Sequence, residues 1–314
     1  MAEFTVFYSW QSDLPKRITR DVIHEATQSA IDRLQVDAAV EDSPRLDHDT
    51  LDVAGAPEIA RTIFEKIENA GVFIADLTFV GESKPLDVTK KVKKLPNANV
   101  LLELGYAAAH LGWDRIILVL NSHFGQSDEL PFDLVHRRFP IKYKLTPTAT
   151  NIEGPQQSLS EDIENAIKLS LGSTYSAAAK AVERMDVACV LICRNYGNRD
   201  YFSVPPYSNL NERLARMEER DALARLLDLR LIRANYGEAA SKYAYHWTYL
   251  GKQAIKVLGI SVPEPAIATI ELPPPVITAA AGGSDGDMFR YDVSATTESG
   301  SLNKPEVVPD SEST

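Results

Sequence analysis

The chain of 314 residues is long enough for two hydrophobic cores, since a single core usually stops growing well short of that length. With 44% apolar and 25% charged residues, and no window near the roughly 20 apolar residues of a membrane span, the composition excludes a helical membrane protein. The formal charge of -11 excludes a chain that wraps nucleic acid along its whole length, because such binding neutralises phosphates with Lys and Arg.

Residues 1–10, MAEFTVFYSW, run straight into a strand pattern. No basic segment, apolar stretch and cleavage site open the chain, so the protein is expected in the cytoplasm. The β-branched and aromatic run 4–9 reads as a strand, and Asp13 and Pro15 suit the N-cap and first turn of a helix. In that helix Ile18, Val22, Ala26, Ala30 and Leu34 recur every four residues, one apolar stripe to lay against a sheet. Residues 36–40 form a weaker strand pattern, and Pro57 opens a second helix, with Ile59, Ile63 and Ile67 on one face, that Gly71 stops. VFIADL at 72–77 is a continuous apolar run ending in an acid, as expected of a central parallel strand covered on both faces. After a Lys-rich loop, Asn97 or Asn99 caps a third helix running to about residue 111, and IILVL at 116–120 is another buried strand. LPFDLVHRR reads as a short helix and 141–145 as a last, edge strand. Strands that alternate with helices pair in parallel through right-handed crossovers, so residues 1–145 are predicted to form a flavodoxin-like, open α/β sheet.

Residues 146–176 read as a linker and a connecting helix around 159–171 that packs back on the first domain. Residues 177–260 read as a smaller α+β domain: a helix, the apolar run holding Cys189 and Cys193, a charged helix with Leu214, Met217, Leu223, Leu226 and Leu227, then strand, loop, strand and short helix. The two cysteines lack a second pair to complete a zinc site and suit a core in a reducing compartment. The leucine-rich helix, its "L-x-L-I" end and the "Y-x-W-T-x-x-G" return loosely resemble a winged helix. Residues 261–314, Pro-rich and then rich in Ser, Gly, Asp and Glu, hold nine acidic and two basic residues and are expected to be disordered. By contrast, 181–260 holds twelve basic and nine acidic residues, which leaves nucleic-acid binding by that domain a minor expectation.

In an open parallel sheet, ligands bind beyond the carboxyl ends of the strands. The residues there are Ser9, Trp10, Gln11, Ser12 and Asp13, then Asp76, Leu77 and Thr78, then Asn121, and the third helix starts at the same edge. On that helix Val100, Leu104, Ala107 and Leu111 form the sheet-facing stripe, while Asn99, Glu103, Tyr106 and His110 form a polar line beside it. Glu103 is the leading candidate. One reading makes it a surface acid near the positive helix end, worth ~0.3 to 1 kcal/mol. A capping box does not explain it, because the position three after Asn99 is Leu102 and three after Asn97 is Val100. Asp76 is either a second functional acid or a loop acceptor. No Gly-rich phosphate loop, H-E-x-x-H or G-x-S-x-G occurs, and no metal or resident cofactor is expected.

FTVFYSWQSD resembles the first box of TIR (Toll/interleukin-1 receptor-like) domains, and NVLLELGYAAAHLGWDRIILVLN resembles the "NVxxELGxxxxxLGxxRxxxL" segment of bacterial TIR-like proteins. LPFDLVHRR is similar to a stretch after the fourth strand in that family, so the likeness covers about residues 1–145. It implies that Glu103 is the catalytic acid of NAD cleavage, with Tyr8, Ser9, Trp10, Asp13, Asp76, Asn99 and Tyr106 as candidate substrate contacts. Trp10 departs from the family, where Phe, Tyr or Arg is more usual. It further implies self-association for activity, with an activating ligand or protein that the sequence does not name. The nicotinamide of NAD leaves as a neutral base, so one carboxylate that stabilises the oxocarbenium-like transition state is enough. A nucleoside 2-deoxyribosyltransferase-like enzyme fits the same "E-L-G-x-A" helix but needs a second proton donor, for which Asp76 or His110 would serve. A binding or scaffold domain without turnover is the third reading.

Overall fold

The computed structural model describes residues 3–37, 40, 42–47, 59–84, 92–137, 140–203, 211, 216–237 and 242–260. The predicted tail, 261–314, lies outside them. Five strands, β1 (Glu3–Ser9), β2 (Ser43–Asp47), β3 (Val72–Asp76), β6 (Ile116–Asn121) and β7 (Ile141–Tyr143), form one parallel sheet in the order β2-β1-β3-β6-β7. This α/β order is compatible with a flavodoxin-like core, whose switch point lies between β1 and β3. As its unbroken apolar run predicts, β3 sits in the middle, buried at every residue.

Side chains alternate across each strand, so each face of the sheet buries its own core. On one face Phe4, Val6 and Tyr8 of β1 and Ile74 of β3 meet α1 (Arg20–Val36), through its stripe of Val22, Ala26, Ala30 and Leu34. They also meet α5 (Glu153–Glu183), through Leu159, Ile163 and Ile167. On the other face Phe7, Phe73, Ala75 and Leu120 meet Ile67 of α2 (Ile59–Asn69), Val100, Leu104 and Ala107 of α3 (Ala98–His110), and Leu134 of the short α4 (Phe132–Val135). Gly112, at φ 82°, makes the turn out of α3, and Arg115 donates from Nε to the Leu111 carbonyl at 3.0 Å to satisfy that helix end.

Several expectations need correction. The strand expected at 36–40 is instead β2 at Ser43–Asp47, because the apolar stripe of α1 carries the helix to Val36. The sequence SPRLD hides β2 because an edge strand pairs on one side only and tolerates Pro and charge. Asp13 and Pro15 do not start a helix: a 3-10 turn spans Lys16–Ile18 and α1 opens at Arg20, while the Leu14 amide is satisfied by Gln11 Oε1 at 3.0 Å. Part of the Lys-rich loop is an antiparallel pair, β4 (Phe79–Glu82) with β5 (Lys94–Pro96). The helices expected around 159–171 and from 177 onward are one helix, α5, whose 31 residues span about 46 Å at 1.5 Å per residue.

Ala178 and Ala181 near the end of α5 enter a third core. It is built from α6 (Val187–Tyr196), β8 (Tyr201–Ser203), α7 (Met217–Asp228), β9 (Ile232–Gly237), β10 (Lys242–Trp247) and α8 (Tyr249–Val257), the strands forming an antiparallel sheet in the order β8-β10-β9. Cys189 and Cys193 are buried in this core with free thiols pushed up in pKa by burial, to about 11 and about 12, as expected of apolar packing residues. Gly251 lets α8 approach β9: a Cβ there would lie 1.9 Å from the Leu231 carbonyl oxygen.

One buried side chain closes the carboxyl edge of the sheet. Asn121 donates from Nδ2 to the carbonyls of Ile18 (3.1 Å) and Leu145 (2.9 Å) and accepts from the amides of His123 (3.2 Å) and Leu145 (3.1 Å). Asn121→Ala leaves these backbone groups without partners and is expected to lower unfolding stability by about 3 kcal/mol, read as a fall in the urea midpoint.

Candidate active site

Ser9 ends β1 on the same face as Phe7, so its side chain turns toward α3. There Ser9 Oγ donates to Glu103 Oε2 at 2.5 Å; Ser9 is buried and Glu103 half-buried. Glu103 lies in the second turn of α3, beside the sheet-facing stripe, which places its carboxylate at the carboxyl edge near the switch point between β1 and β3, where such sheets form a binding crevice. Asn97 caps α3, accepting from the amides of Asn99 (2.8 Å) and Val100 (3.1 Å), while its Nδ2 donates to Asp13 at 2.7 Å. Helix α3 is thus tied to the loop after β1 at two points, Ser9 to Glu103 and Asp13 to Asn97. The loop between them carries Trp10, half-buried, with the Arg20 guanidinium 4.6 Å above its ring. Asn99 is exposed on the first turn of α3, at the same edge.

Three candidates belong elsewhere. Tyr8 alternates to the opposite face, has no exposed surface and directs its hydroxyl to the Arg20 carbonyl at 3.5 Å, with burial pushing its pKa up. It is a core residue. Asp76 shares that face through Ile74 and is 0% exposed; Oδ1 accepts from the Thr78 amide at 3.0 Å and Oδ2 from Gln11 Nε2 at 3.4 Å. It anchors a loop and does not pair with Glu103 across an open site. Tyr106 points from α3 toward α2, stacked on Phe64 with centroids 4.3 Å apart, and its hydroxyl donates to Glu68 Oε1.

The sequence placed Gln11 and Thr78 at this edge but assigned them no role. Gln11 is buried and bridges Asp76 to the Leu14 amide, and Thr78 Oγ1 accepts from the Asn121 amide at 3.0 Å. Their signal was position alone: polar residues within two places of a strand end in an open parallel sheet. A groove of about 910 Å3 lies away from this crevice, near the amino ends of β6 and β7, lined by Trp113, Ile116, Arg137, Ile141, Lys142 and Leu169 among others. None of the candidate residues lines it. Among the described residues no cluster of His, Cys, Asp or Glu is arranged to hold a metal ion, and no helix is long and apolar enough to cross a membrane.

The arrangement presents a half-buried carboxylate, Glu103, oriented by a buried hydroxyl at the switch point of a parallel sheet, with the exposed Asp13 held to the same helix by Asn97. No known family model matches the chain, and no curated protein matches it significantly.

Desolvation is the largest cause raising the Asp76 pKa above 3.8, outweighing the hydrogen bonds from Thr78 and Gln11 that lower it. The folded state therefore holds this proton more tightly than the unfolded chain, so stability from this group is fully present below the unfolded value and lost as pH rises through the folded one. Asp76→Asn is expected to flatten the fall in urea midpoint across that interval; an unchanged pH profile would show that Asp76 is not desolvated.

Proposed function

We propose that the protein is an NAD nucleosidase of the bacterial TIR-like type, cleaving the nicotinamide–ribose bond with Glu103 as the catalytic acid. The observation that carries this reading is the Ser9–Glu103 pair at the carboxyl edge of β1. The ribose would lie over Glu103, whose carboxylate binds its hydroxyls and stabilises positive charge as the C1′–N bond breaks. The bonding pair leaves with nicotinamide, which needs no proton. Water then adds to C1′, and its proton passes to Glu103 and on to solvent. Ser9 keeps one carboxylate oxygen fixed while the reaction proceeds; Asp13, in the loop after β1, and Asn99, on the first turn of α3, are the nearest candidates for substrate contact, while Trp10 packs toward the α1 face.

Two placements favour this reading over a deoxyribosyltransferase-like one. The poorer leaving base of a nucleoside requires protonation, and the groups that would supply it stand apart from Glu103. Asp76 is sealed on the other face of the sheet, and His110 stacks on Tyr106 with centroids 4.2 Å apart, two turns along α3. The third reading, a scaffold without turnover, fits less well with a half-buried, oriented carboxylate than with a packed cleft.

Among the described residues of 187–247, the elements α6, β8, α7, β9 and β10, with sheet order β8-β10-β9, support a winged-helix reading of the C-terminal domain. Its α7 exposes Glu218, Arg220, Asp221, Arg225 and Asp228, a face of mixed sign unlike one that grips phosphates, so the domain is read as a sensor of a protein or small ligand. In this proposal the protein works in the cytoplasm, in antiphage defence or signalling, and becomes active when copies assemble.

Purified full-length protein is expected to release nicotinamide from NAD at a rate per molecule that rises with protein concentration, and Glu103→Gln to abolish release. Ser9→Ala is expected to lower kcat roughly 10- to 100-fold, the value of one hydrogen bond to a charged group. Release that persists in Glu103→Gln would overturn the assignment.

A further inference from the structure

The carboxylate of Glu68, near the end of α2, is shared between two parts of the molecule. Oε1 accepts from the Tyr106 hydroxyl on α3, and Oε2 from Arg233 Nη1 on β9 of the C-terminal sheet. The side chains of Glu68 and Arg233 are only 18% and 19% exposed, so this ion pair is held largely out of water, where charged hydrogen bonds are strong. Tyr106 is fixed between Phe64 of α2 and His110 of its own helix, at ring distances of 4.3 and 4.2 Å. Burial, followed by the neighbouring Glu68, raises its pKa to about 12, so it stays a donor at any physiological pH.

Tyr106 follows Glu103 by three residues, less than one turn of the same rigid helix. A lateral shift of α3 at Tyr106 therefore moves Glu103 against Ser9, and a misplacement of about 1 Å at a reacting group costs on the order of 100-fold in rate. The C-terminal domain is also fastened at the base of the sheet, where buried Asp42 accepts from Tyr249 (2.7 Å), Gln253 (2.6 Å) and Lys256 of α8. That second attachment keeps the domain docked when the first is broken, which makes the contact at Glu68 separable from docking as a whole.

We propose that Tyr106, Glu68 and Arg233 are positioning residues, a relay by which the C-terminal sheet holds the Glu103 helix in register with the loop after β1. A ligand or partner that displaces β9 would withdraw Arg233 from Glu68 and loosen α3, making the C-terminal domain a control element for the crevice. The catalytic consequence rests on the NAD-cleavage reading; the mechanical coupling does not.

The test is amide hydrogen exchange on the full-length protein, comparing residues 98–110 of α3 with residues 20–36 of α1 as an internal control. Arg233→Ala and Tyr106→Phe are each expected to speed exchange in α3 about tenfold without changing α1, and the double variant to do no more than either single one. Arg233→Lys, which keeps the charge, is expected to restore most of the protection. In nicotinamide release, the same variants are expected to lower kcat with little change in KM. Unchanged exchange in α3, or additive effects in the double variant, would overturn the relay. If exchange responds as expected but NAD is not cleaved by the unaltered protein, the relay stands and the activity assignment fails.

Discussion

A parallel sheet covered on both faces has to finish its backbone hydrogen bonding at the strand ends with side chains, and the rest of this structure depends on how it does so. Asp76, Thr78 and Asn121 form a buried polar seam along the carboxyl edge. Asp76 takes the Thr78 amide and Gln11, Thr78 takes the Asn121 amide, and Asn121 closes the chain segments at Ile18 and Leu145. Unpaired groups at such depth would each cost about 1 to 3 kcal/mol, so the seam holds the loops in one arrangement. The rigid edge that results is what lets Ser9 and Glu103 meet from positions 94 residues apart.

Strand periodicity then separates the two acids. Ser9 and Asp76 end neighbouring strands, yet alternation turns Ser9 to the α3 face and Asp76 to the α1 face. One carboxylate is left at the rim and the other is consumed in the scaffold. That division leaves Glu103, and not Asp76, as the acid on which the proposed cleavage relies.

Helix α5 joins this sheet to the C-terminal core without a break, contributing Leu159 and Ile163 at one end and Ala178 and Ala181 at the other. A continuous helix transmits orientation where a flexible linker would not. The polar attachments at Asp42 and Glu68 add two further constraints, the second of them bearing on the helix that carries Glu103. The C-terminal domain is therefore placed to influence the crevice through contact as well as through covalent connection.

The sequence alone determined the elements whose apolar pattern is strong. The four-residue stripe of α1, the unbroken runs of β3 and β6 and an Asn cap on α3, at Asn97 or Asn99, were legible because local spacing and burial agree there, and the structure chose Asn97. Position at a strand end was likewise enough to mark Ser9 and the helix of Glu103 as candidates. What only the tertiary structure decided were the matters that depend on partners distant in the chain. Strand β2 is an edge strand with no apolar signature of its own, and the continuity of α5 depends on packing against two cores. Tyr8, Asp76 and Tyr106 looked like site residues because proximity to a strand end or a helix stripe says nothing of which face a side chain takes once neighbours compete for it. Burial and hydrogen-bond partners settle that choice, and both are properties of the assembled fold.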